Sequence, residues 1–417
     1  MTGRIIIPAL LAFCLLLPEN LPAQGNWPEE GVAPQSRLLP GLRDLRHWPS
    51  VEPSPLEATL EQIFHRSWFR LDYLIWNIDG PRDRLIGVQP AGLATDARLN
   101  FPVTIPNDPT LLNQLAFVPD TRKFNFEDNP GVRGTIGIPL TEGTVEISAF
   151  LLDQASADVR LNGFLEPLSV TEDPNFTTVP FSDGFPRNFV NVATTLTGGG
   201  GVGSNILLYD RDYSAAWTSD MWGAQANFLK SSRFSGEGFQ VEPLIGARYL
   251  NLLEVLTIQG GFDGPGPAPQ NIRRFIDSNV HNNIFGPQIG LRSQFVHRWF
   301  TIGIEPKIAL SWNNYEARVR TEQLRTAADP RNDTKQDGTK FAPIAELTGF
   351  IRWHLNDSLS FYFATNWMWI DNVSRPLDNI SFNSTGPEPA PQGVVVDAQF
   401  HDIRVVGISI GGELILP

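Results

Sequence analysis

Apolar and polar residues alternate strictly along one segment of the chain, residues 299–313. Every second residue from Phe300 to Trp312 is apolar, and the residues between them are small, polar or charged. Because successive side chains of a strand point to opposite faces, this pattern predicts a strand with one apolar and one polar face. Aromatic residues stand at both ends of the apolar face, which is typical of strands that cross an outer membrane.

The length of this segment fits a membrane crossing. Phe300 and Trp312 are twelve residue steps apart. At about 3.3 Å per residue and a tilt of about 40°, the rise is roughly 30 Å, close to the apolar thickness of a bilayer. The same arithmetic for Trp68 and Trp76 gives a shorter rise of roughly 20 Å.

Ten segments of the chain have a strand pattern bounded by turn residues. They are residues 67–78, 131–139, 143–154, 221–231, 238–254, 283–296, 299–315, 341–355, 358–371 and 402–416. Two short apolar runs within residues 205–218 could add a further pair. The predicted number of strands is therefore ten to twelve.

Short and long links alternate between these segments. The short links lie near residues 141–143, 235–238, 297–298 and 356–357, and their residues suit hairpin turns. The long links are roughly residues 80–130, 155–220, 255–282, 316–340 and 372–401. This alternation places all tight turns at one end of a barrel and all long loops at the other. The sequence therefore predicts an all-β fold, a single antiparallel outer-membrane barrel with both termini on the periplasmic side.

The first residues have the composition of an export signal. A short basic segment, residues 1–4, is followed by an apolar stretch, residues 5–18, and by Leu21-Pro22-Ala23, which suits cleavage. The apolar stretch is too short to span a bilayer as a helix. We expect a signal peptide at 1–23, a Pro-rich periplasmic lead-in at 24–65, and a barrel with long extracellular loops at 66–417.

Composition and residue spacing exclude several classes of function. The net charge of -13 argues against nucleic acid as a partner, because its phosphates need Lys and Arg. The only cysteine, Cys14, lies in the expected signal peptide, and no histidines have metal-ligand spacing. His354, beside Arg352 and close to Ser358, is the nearest candidate for hydrolysis, but a lone histidine near a turn is usually structural. We predict no enzyme activity, catalytic residue, metal or cofactor.

The polar face of each strand, projected inward, assigns charges of both signs to the barrel interior. The acids are Asp72, Glu146, Glu242, Glu305, Glu346 and Glu413, and the bases are Arg70, Arg133, Arg248, Arg292, Lys307 and Arg352. In a narrow interior, pairing opposite charges costs less than leaving either alone. A barrel of this size is only slightly wider than one that side chains fill. An interior packed with ion pairs and a narrow pore both stay open; Arg248, with Glu254, could instead lie near the outer mouth and set selectivity.

Aromatic residues near the strand ends predict two girdles at the membrane interfaces. Trp68, Trp299, Phe300 and Trp353 lie near the short links, and Trp76, Tyr249, Trp312, Trp367 and Trp369 lie toward the long loops. Four prolines interrupt the strand pattern, because proline removes a ladder donor. They are Pro243, Pro287, Pro306 and Pro343, and all fall on the outward-facing parity.

Four blocks of sequence also resemble a known family. They are residues 71–76 (Leu-Asp-Tyr-Leu-Ile-Trp), 246–254 (Gly-Ala-Arg-Tyr-Leu-Asn-Leu-Leu-Glu), 285–291 (Phe-Gly-Pro-Gln-Ile-Gly-Leu) and 373–380 (Val-Ser-Arg-Pro-Leu-Asp-Asn-Ile). These blocks resemble, in order and spacing, the β-barrel porins of planctomycete-type bacteria. The resemblance implies an outer-membrane barrel with a transport role. The chain departs from the pattern in its last residues, Leu414 to Pro417, where such barrels usually have an aromatic residue.

The sequence as a whole predicts an exported outer-membrane barrel whose partners are membrane lipid and, through a narrow pore, small solutes or ions. The first alternative is a closed barrel that serves as an anchor or binds partners through its loops. The second is a soluble secreted β protein, in which the apolar face of each strand would point inward. The pattern does not determine the solute or the oligomeric state.

Overall fold

Each of the ten segments predicted as strands contains a strand in the computed structural model. The structure describes residues 67–81, 83–89, 96–99, 101–103, 114–124, 126, 128–164, 188–193, 207–232, 236–263, 271–324, 326–384 and 393–416. The expected signal peptide and lead-in lie outside these residues, so both stay predictions. Among the described residues, no helix has the length and apolarity to cross a bilayer.

Nineteen strands are found in the described part of the chain. They are β1 (Trp68–Ile78), β2 (Phe101–Val103), β3 (Gln114–Phe117), β4 (Asn129–Leu140), β5 (Gly143–Leu152), β6 (Ala155–Phe164), β7 (Asn188–Ala193), β8 (Leu207–Tyr209), β9 (Arg211–Lys230), β10 (Gly238–Phe262), β11 (Ile272–His297), β12 (Phe300–Ala309), β13 (Trp312–Glu322), β14 (Asn332–Phe341), β15 (Ile344–His354), β16 (Leu359–Ser374), β17 (Ile380–Ser384), β18 (Gly393–Val396) and β19 (Phe400–Ile415). A 3₁₀ turn, Thr121–Lys123, precedes β4.

Ten of these strands close into an antiparallel ring. The order around it is β1, β4, β5, β9, β10, β11, β12, β15, β16 and β19, and β19 pairs with β1 to complete it. The predicted antiparallel barrel is confirmed, with the smaller of the predicted strand numbers. The apolar runs within residues 205–218 add no pair to the ring, because β8 belongs to a separate four-stranded sheet and residues 211–217 are part of β9.

Several strands continue well beyond the ring at its long-link end. β9, β10 and β11 have 20, 25 and 26 residues, while β6, β13 and β14 extend the lines of β5, β12 and β15. Together β6, β9, β10, β11, β13 and β14 form what we call the upper sheet. Much of 255–282 and 316–340, predicted as long loops, is therefore strand. Those segments lack an apolar outer face, so the pattern that identified the other strands does not extend to them.

Apolar side chains from the long links pack against the inward-facing side of the upper sheet. Ile86, Phe124 and Phe126 from the first long link join Trp217 of β9 in one buried cluster. The rings of Phe124 and Phe126 meet Trp217 edge to face, with centroids 5.8 and 6.0 Å away. Leu377, from the last long link, belongs to the same cluster. The long-link end of the barrel is thus covered by a second hydrophobic core.

Two prolines explain why β12 and β13 are separate strands. In the ladder registers, Leu310 lies between Pro287 of β11 and Pro343, which precedes β15. The Leu310 N–H donates to the Pro287 carbonyl (2.9 Å), but Pro287 has no N–H to return the bond. The strand therefore breaks at residues 310–311, near the upper edge of the apolar outer face.

Candidate functional site

The outer face of the ring carries the apolar residues of the alternating pattern. Ile302, Ile304, Ile308 and Leu310 are each 50–53% exposed, whereas Glu305 and Lys307 are only 8% and 4% exposed. A water-soluble barrel would have the reverse arrangement, because exposed apolar patches of this size are rare on soluble monomers. The oily face is thus directed outward and the charged face inward, as a lipid-exposed barrel requires.

Aromatic side chains border this apolar face at both ends. Near the short links, Phe300, Trp353 and Phe361 stand side by side in neighbouring strands and point outward. Trp299 lies in the adjacent turn and is exposed. Toward the long links the outward-facing aromatic residues include Tyr249, Trp312, Trp367 and Trp369. These side chains therefore share the outer face with the apolar residues, and their role as interface girdles stays a prediction.

Two tryptophans of β1 were assigned to the wrong face. Trp76 is buried inside the barrel, with its ring centroid 5.0 Å from that of Phe150. Trp68 shares the inner face with Arg70, whose guanidinium lies 5.6 Å from the Trp68 ring. Even-numbered residues of β1 point inward, so neither Trp68 nor Trp76 can contribute to a lipid-facing girdle.

Six of the predicted interior charges form one chain of contacts across the lumen. Arg292 of β11 donates Nη1 and Nη2 to the two oxygens of Glu146 on β5 (both 2.7 Å) and Nε to Glu305 (2.6 Å). Lys307 Nζ lies 3.1 Å from Glu305 and 2.9 Å from Glu346. Arg248 completes the chain through an ion pair with Glu346. Three acids and three bases are thereby paired in a buried setting.

Five more of these residues form a second network near the β1–β19 closure. Asp72 accepts hydrogen bonds from Arg70 Nε (3.3 Å) and Arg133 Nε (2.9 Å). Glu413 lies 3.6 Å from Arg70 and 3.0 Å from Arg352. Together the two networks contain all the predicted interior charges except Glu242.

Glu242 faces the same interior but pairs less closely. It stands opposite Arg292 in the β10–β11 register and is half-buried. Among the described residues it forms no ion pair within 4 Å.

Neutral polar residues that the charge projection did not include complete the networks. Gln225 of β9 accepts a hydrogen bond from Arg248 Nη2 (2.7 Å). Asn366 of β16 accepts one from Arg133 Nη1 (3.3 Å) and donates Nδ2 to Ser409 (2.6 Å). Both residues lie on the inward parity of strands whose other face is apolar, and this parity is the signal that could have identified them.

Very little space is left between these side chains. The charged layer encloses a cavity of about 30 Å³, lined by Arg133, Thr135, Lys307 and their neighbours. A single ordered water needs about 10–15 Å³ of such space, so the cavity holds only a few waters. Toward the long links, apolar side chains fill the interior instead, among them Leu74, Leu250, Ile284 and Met368. The interior is therefore filled by two successive layers of side chains, one charged and one apolar.

A third layer of contacts lies on the long-link side of the apolar layer. It is formed by residues 374–379, which we call the strap. Arg375 of the strap donates Nε and Nη2 to the carboxylate of Glu254 on β10 (3.0 and 2.7 Å), and Glu254 is completely buried. Ser278 of β11 donates to the Pro376 carbonyl (2.7 Å), and Asn282 donates to the Ser374 carbonyl (2.9 Å). Burial opposes the Arg375 charge, yet the Glu254 carboxylate raises the pKa of Arg375 above its ordinary value. Glu254 and Arg248 therefore hold internal contacts, and neither lines an open outer mouth.

His354 has no catalytic arrangement around it. Its Nδ1 lies 3.0 Å from Ser360 Oγ, and its Nε2 lies 3.0 Å from Thr301 Oγ1. The neighbouring serine is therefore Ser360, and Ser358 lies in the turn. A serine triad needs an acid on the second ring nitrogen, and here a threonine hydroxyl occupies that position. In the part of the chain that the structure describes, no cluster of His, Cys, Asp or Glu could hold a metal ion.

A sequence profile described as Putative beta barrel porin-7 matches residues 68–414. The chain belongs to this family. The matched region begins at the first residue of β1 and ends within β19, so it spans the whole ring of this porin-7 family member. No functionally curated protein matches the chain.

Solved outer-membrane proteins resemble this porin-7 family barrel at low identity. The outer membrane protease OmpT from Escherichia coli is 9% identical, with 84% of this chain and 94% of that chain covered and a TM-score of 0.39. The toluene transporter TbuX from Ralstonia pickettii is 7% identical, with 84% and 90% covered and a TM-score of 0.21. A Pseudomonas aeruginosa FadL homologue is 8% identical, with 84% and 89% covered and a TM-score of 0.24.

Proposed function

We propose that this outer-membrane barrel is closed and serves as an anchor that holds the upper sheet and its loops at the cell surface. The observation that carries the proposal is the filled interior. Eleven of the twelve predicted interior charges are engaged with one another, and the cavity between them is only about 30 Å³. An apolar layer and the strap lie above it.

The physics of ion transfer favours a closed barrel. An ion that left the charged layer would have to pass among Leu74, Leu250 and Ile284, which offer it no polar partner. Moving a charge into such surroundings without compensation is very costly. Opening this layer would require strand side chains to repack, because they come from the barrel wall itself. A static aqueous path is therefore not expected.

A narrow channel for small solutes or ions is the second candidate. The family description favours it. The charged layer also favours it, because Arg292, Glu305 and Lys307 could select ions if the interior rearranged. Both candidates share the outer membrane as their location and differ only in whether ions pass.

Planar-bilayer conductance of the refolded chain separates the two candidates. We expect no discrete current steps from protein whose insertion is verified by protease protection and by heat-dependent gel mobility. Reproducible steps would overturn the anchor proposal. In that case Lys307→Glu and Glu305→Lys should change ion selectivity, and unchanged selectivity would exclude both side chains from the path.

Export through a signal peptide ending near Ala23 belongs to the same proposal. The basic segment, apolar stretch and small-residue site at the start of the chain support it. Mass measurement of the mature chain from the outer-membrane fraction tests it. An uncut amino terminus in that fraction would contradict a cleaved signal.

A further inference from the structure

An aromatic residue and an asparagine repeat as a pair on three neighbouring strands of the upper sheet. The pairs are Tyr249 and Asn251 on β10, Phe285 and Asn283 on β11, and Trp312 and Asn314 on β13. In each pair the two residues are two positions apart and share the outer face. The ladder registers place Tyr249 beside Phe285 and Phe285 beside Trp312, and likewise Asn251 beside Asn283 and Asn283 beside Asn314. We call these three asparagines the amide row.

The amide row lies just beyond the aromatic residues that border the apolar face, where we expect lipid head groups. The aromatic residues below it border the apolar face, and Phe285 and Trp312 are 46% and 43% exposed. Two residues of a tilted strand raise the asparagines by about 5 Å, and the head-group layer is itself about 5–7 Å thick.

Hydrogen bonds orient the amides of this row. Asn283 Oδ1 accepts from Tyr249 Oη (2.8 Å) and from Asn251 Nδ2 (2.9 Å). Asn314 Oδ1 accepts from Thr339 Oγ1 of β14 (2.7 Å). Among the described residues, neither Asn283 nor Asn314 has a partner for its Nδ2 group. Two N–H₂ donors are therefore held in place on the outer face and left available to an external acceptor.

The charges just above the amide row distinguish between possible head groups. The next outward-facing row contains Asp220, Leu253, His281, Glu316 and Asp337. Lys335 of β14 pairs with Glu316 (3.1 Å) and Asp337 (3.9 Å), so one cation faces three carboxylates and the surface stays net negative. A net negative surface disfavours an anionic phosphate, whereas its carboxylates can accept hydrogen bonds from sugar hydroxyls. Neutral amides beside aromatic rings also suit sugars, whose hydroxyls bond to amides while their apolar C–H faces pack on rings.

We propose that this surface binds the uncharged sugar head group of an outer-leaflet glycolipid. The acyl chains would cover the apolar outer face below, and the sugar would lie against the amide row. This surface lies on the outer face alone, so sugar binding there does not depend on whether the lumen is closed or conducts.

Lipid retention by the full chain tests this proposal. The barrel is reconstituted in phosphatidylcholine vesicles containing equal minor fractions of digalactosyldiacylglycerol and phosphatidylglycerol, then extracted and analysed for bound lipid by native mass spectrometry. We expect preferential retention of the galactolipid, and roughly five- to tenfold less of it in the double variant Asn283→Leu, Asn314→Leu. Gln259→Leu is the matched control, because Gln259 is an exposed amide on β10 eight residues beyond Asn251.

Each outcome bears on the proposal. Retention of phosphatidylglycerol over galactolipid would replace the sugar with an anionic head group and overturn it. Equal loss in the double variant and in Gln259→Leu would show that the amide row is not the site. If the double variant fails to fold, the exposed position allows Asn314→Leu alone, with Asn314→Gln expected to restore retention. Unchanged retention in Asn314→Leu would also reject the proposal.

Discussion

Arg292 on β11 spans the lumen to Glu146 on β5, with both guanidinium-to-carboxylate distances at 2.7 Å. The same guanidinium also bonds Glu305. Arg292→Met would therefore leave two buried carboxylates without their main partner. We expect the free energy of unfolding to fall by about 3–5 kcal/mol, the usual cost of breaking a buried ion pair. Denaturant unfolding in lipid vesicles, followed by tryptophan fluorescence, measures it.

A surface pair provides the control for this change. Arg318 of β13 bonds Asp333 of β14 through Nε (2.7 Å), but both side chains are substantially solvated. Exposed ion pairs contribute little, so Arg318→Met should leave the unfolding curve nearly unchanged. Equal losses in the two variants would mean that the lumen is hydrated to the same degree as the surface.

Ile304 tests whether lipid covers the outer face. It is 53% exposed in the middle of the apolar face, so Ile304→Lys would place a charge in hydrocarbon. Such a substitution costs about 2–4 kcal/mol near the midplane of a membrane barrel. We expect less folded barrel in vesicle-insertion assays, scored by heat-dependent gel mobility, while Ser358→Lys in the turn between β15 and β16 has no effect. Full insertion of Ile304→Lys would argue that water or protein, not lipid, contacts this face.

The strands that cross the membrane could be found from sequence because their two faces differ in polarity. Glu305 and Lys307 alternate with Ile304 and Ile308 along the sequence. In the structure the two charged residues point inward and the two isoleucines point outward. Where the strands continue beyond the apolar outer face, their two faces no longer differ in this way. Residues such as Asp277 and Arg320 occupy the outer face of the upper sheet, so β11 and β13 continue without an apolar face to reveal them.

The wrong predictions for the candidate site have a similar physical origin. Trp76 was assigned to a girdle because it stands near a strand end, yet it has the same parity as Asp72, which was assigned to the interior. Applying that parity consistently would have placed Trp76 inside. The Glu254–Arg375 contact could not be deduced this way, because it joins residues 121 positions apart through a loop. Only tertiary structure brings them together.

Arg375 is expected to hold the strap against the barrel wall. Besides bonding Glu254, its Nη1 donates to the carbonyls of Asp79 and Gly80 (2.9 and 3.0 Å). Arg375→Met would leave the buried Glu254 carboxylate unpaired and free these carbonyls, so the last long link should loosen. Hydrogen exchange of residues 374–384 should accelerate, while exchange in β12 stays unchanged. Identical exchange rates in the variant would mean that the apolar contacts of Leu377 and Ile380 suffice to fix the strap.

Tyr209 and Tyr213 should make the upper sheet sensitive to alkali. Both phenols are buried and have no hydrogen-bond partner among the residues that the structure describes, and burial raises the pKa of each. The folded chain therefore holds these protons more tightly than the unfolded chain. Their contribution to stability is complete below the ordinary tyrosine pKa of about 10 and declines as pH rises above it. Absorbance titration at alkaline pH should show these two phenols ionising only as the structure opens. The double variant Tyr209→Phe, Tyr213→Phe should remove that late step and, because no hydrogen bond is lost, leave stability at neutral pH equal or higher. A late step that persists in the double variant would assign it to another group.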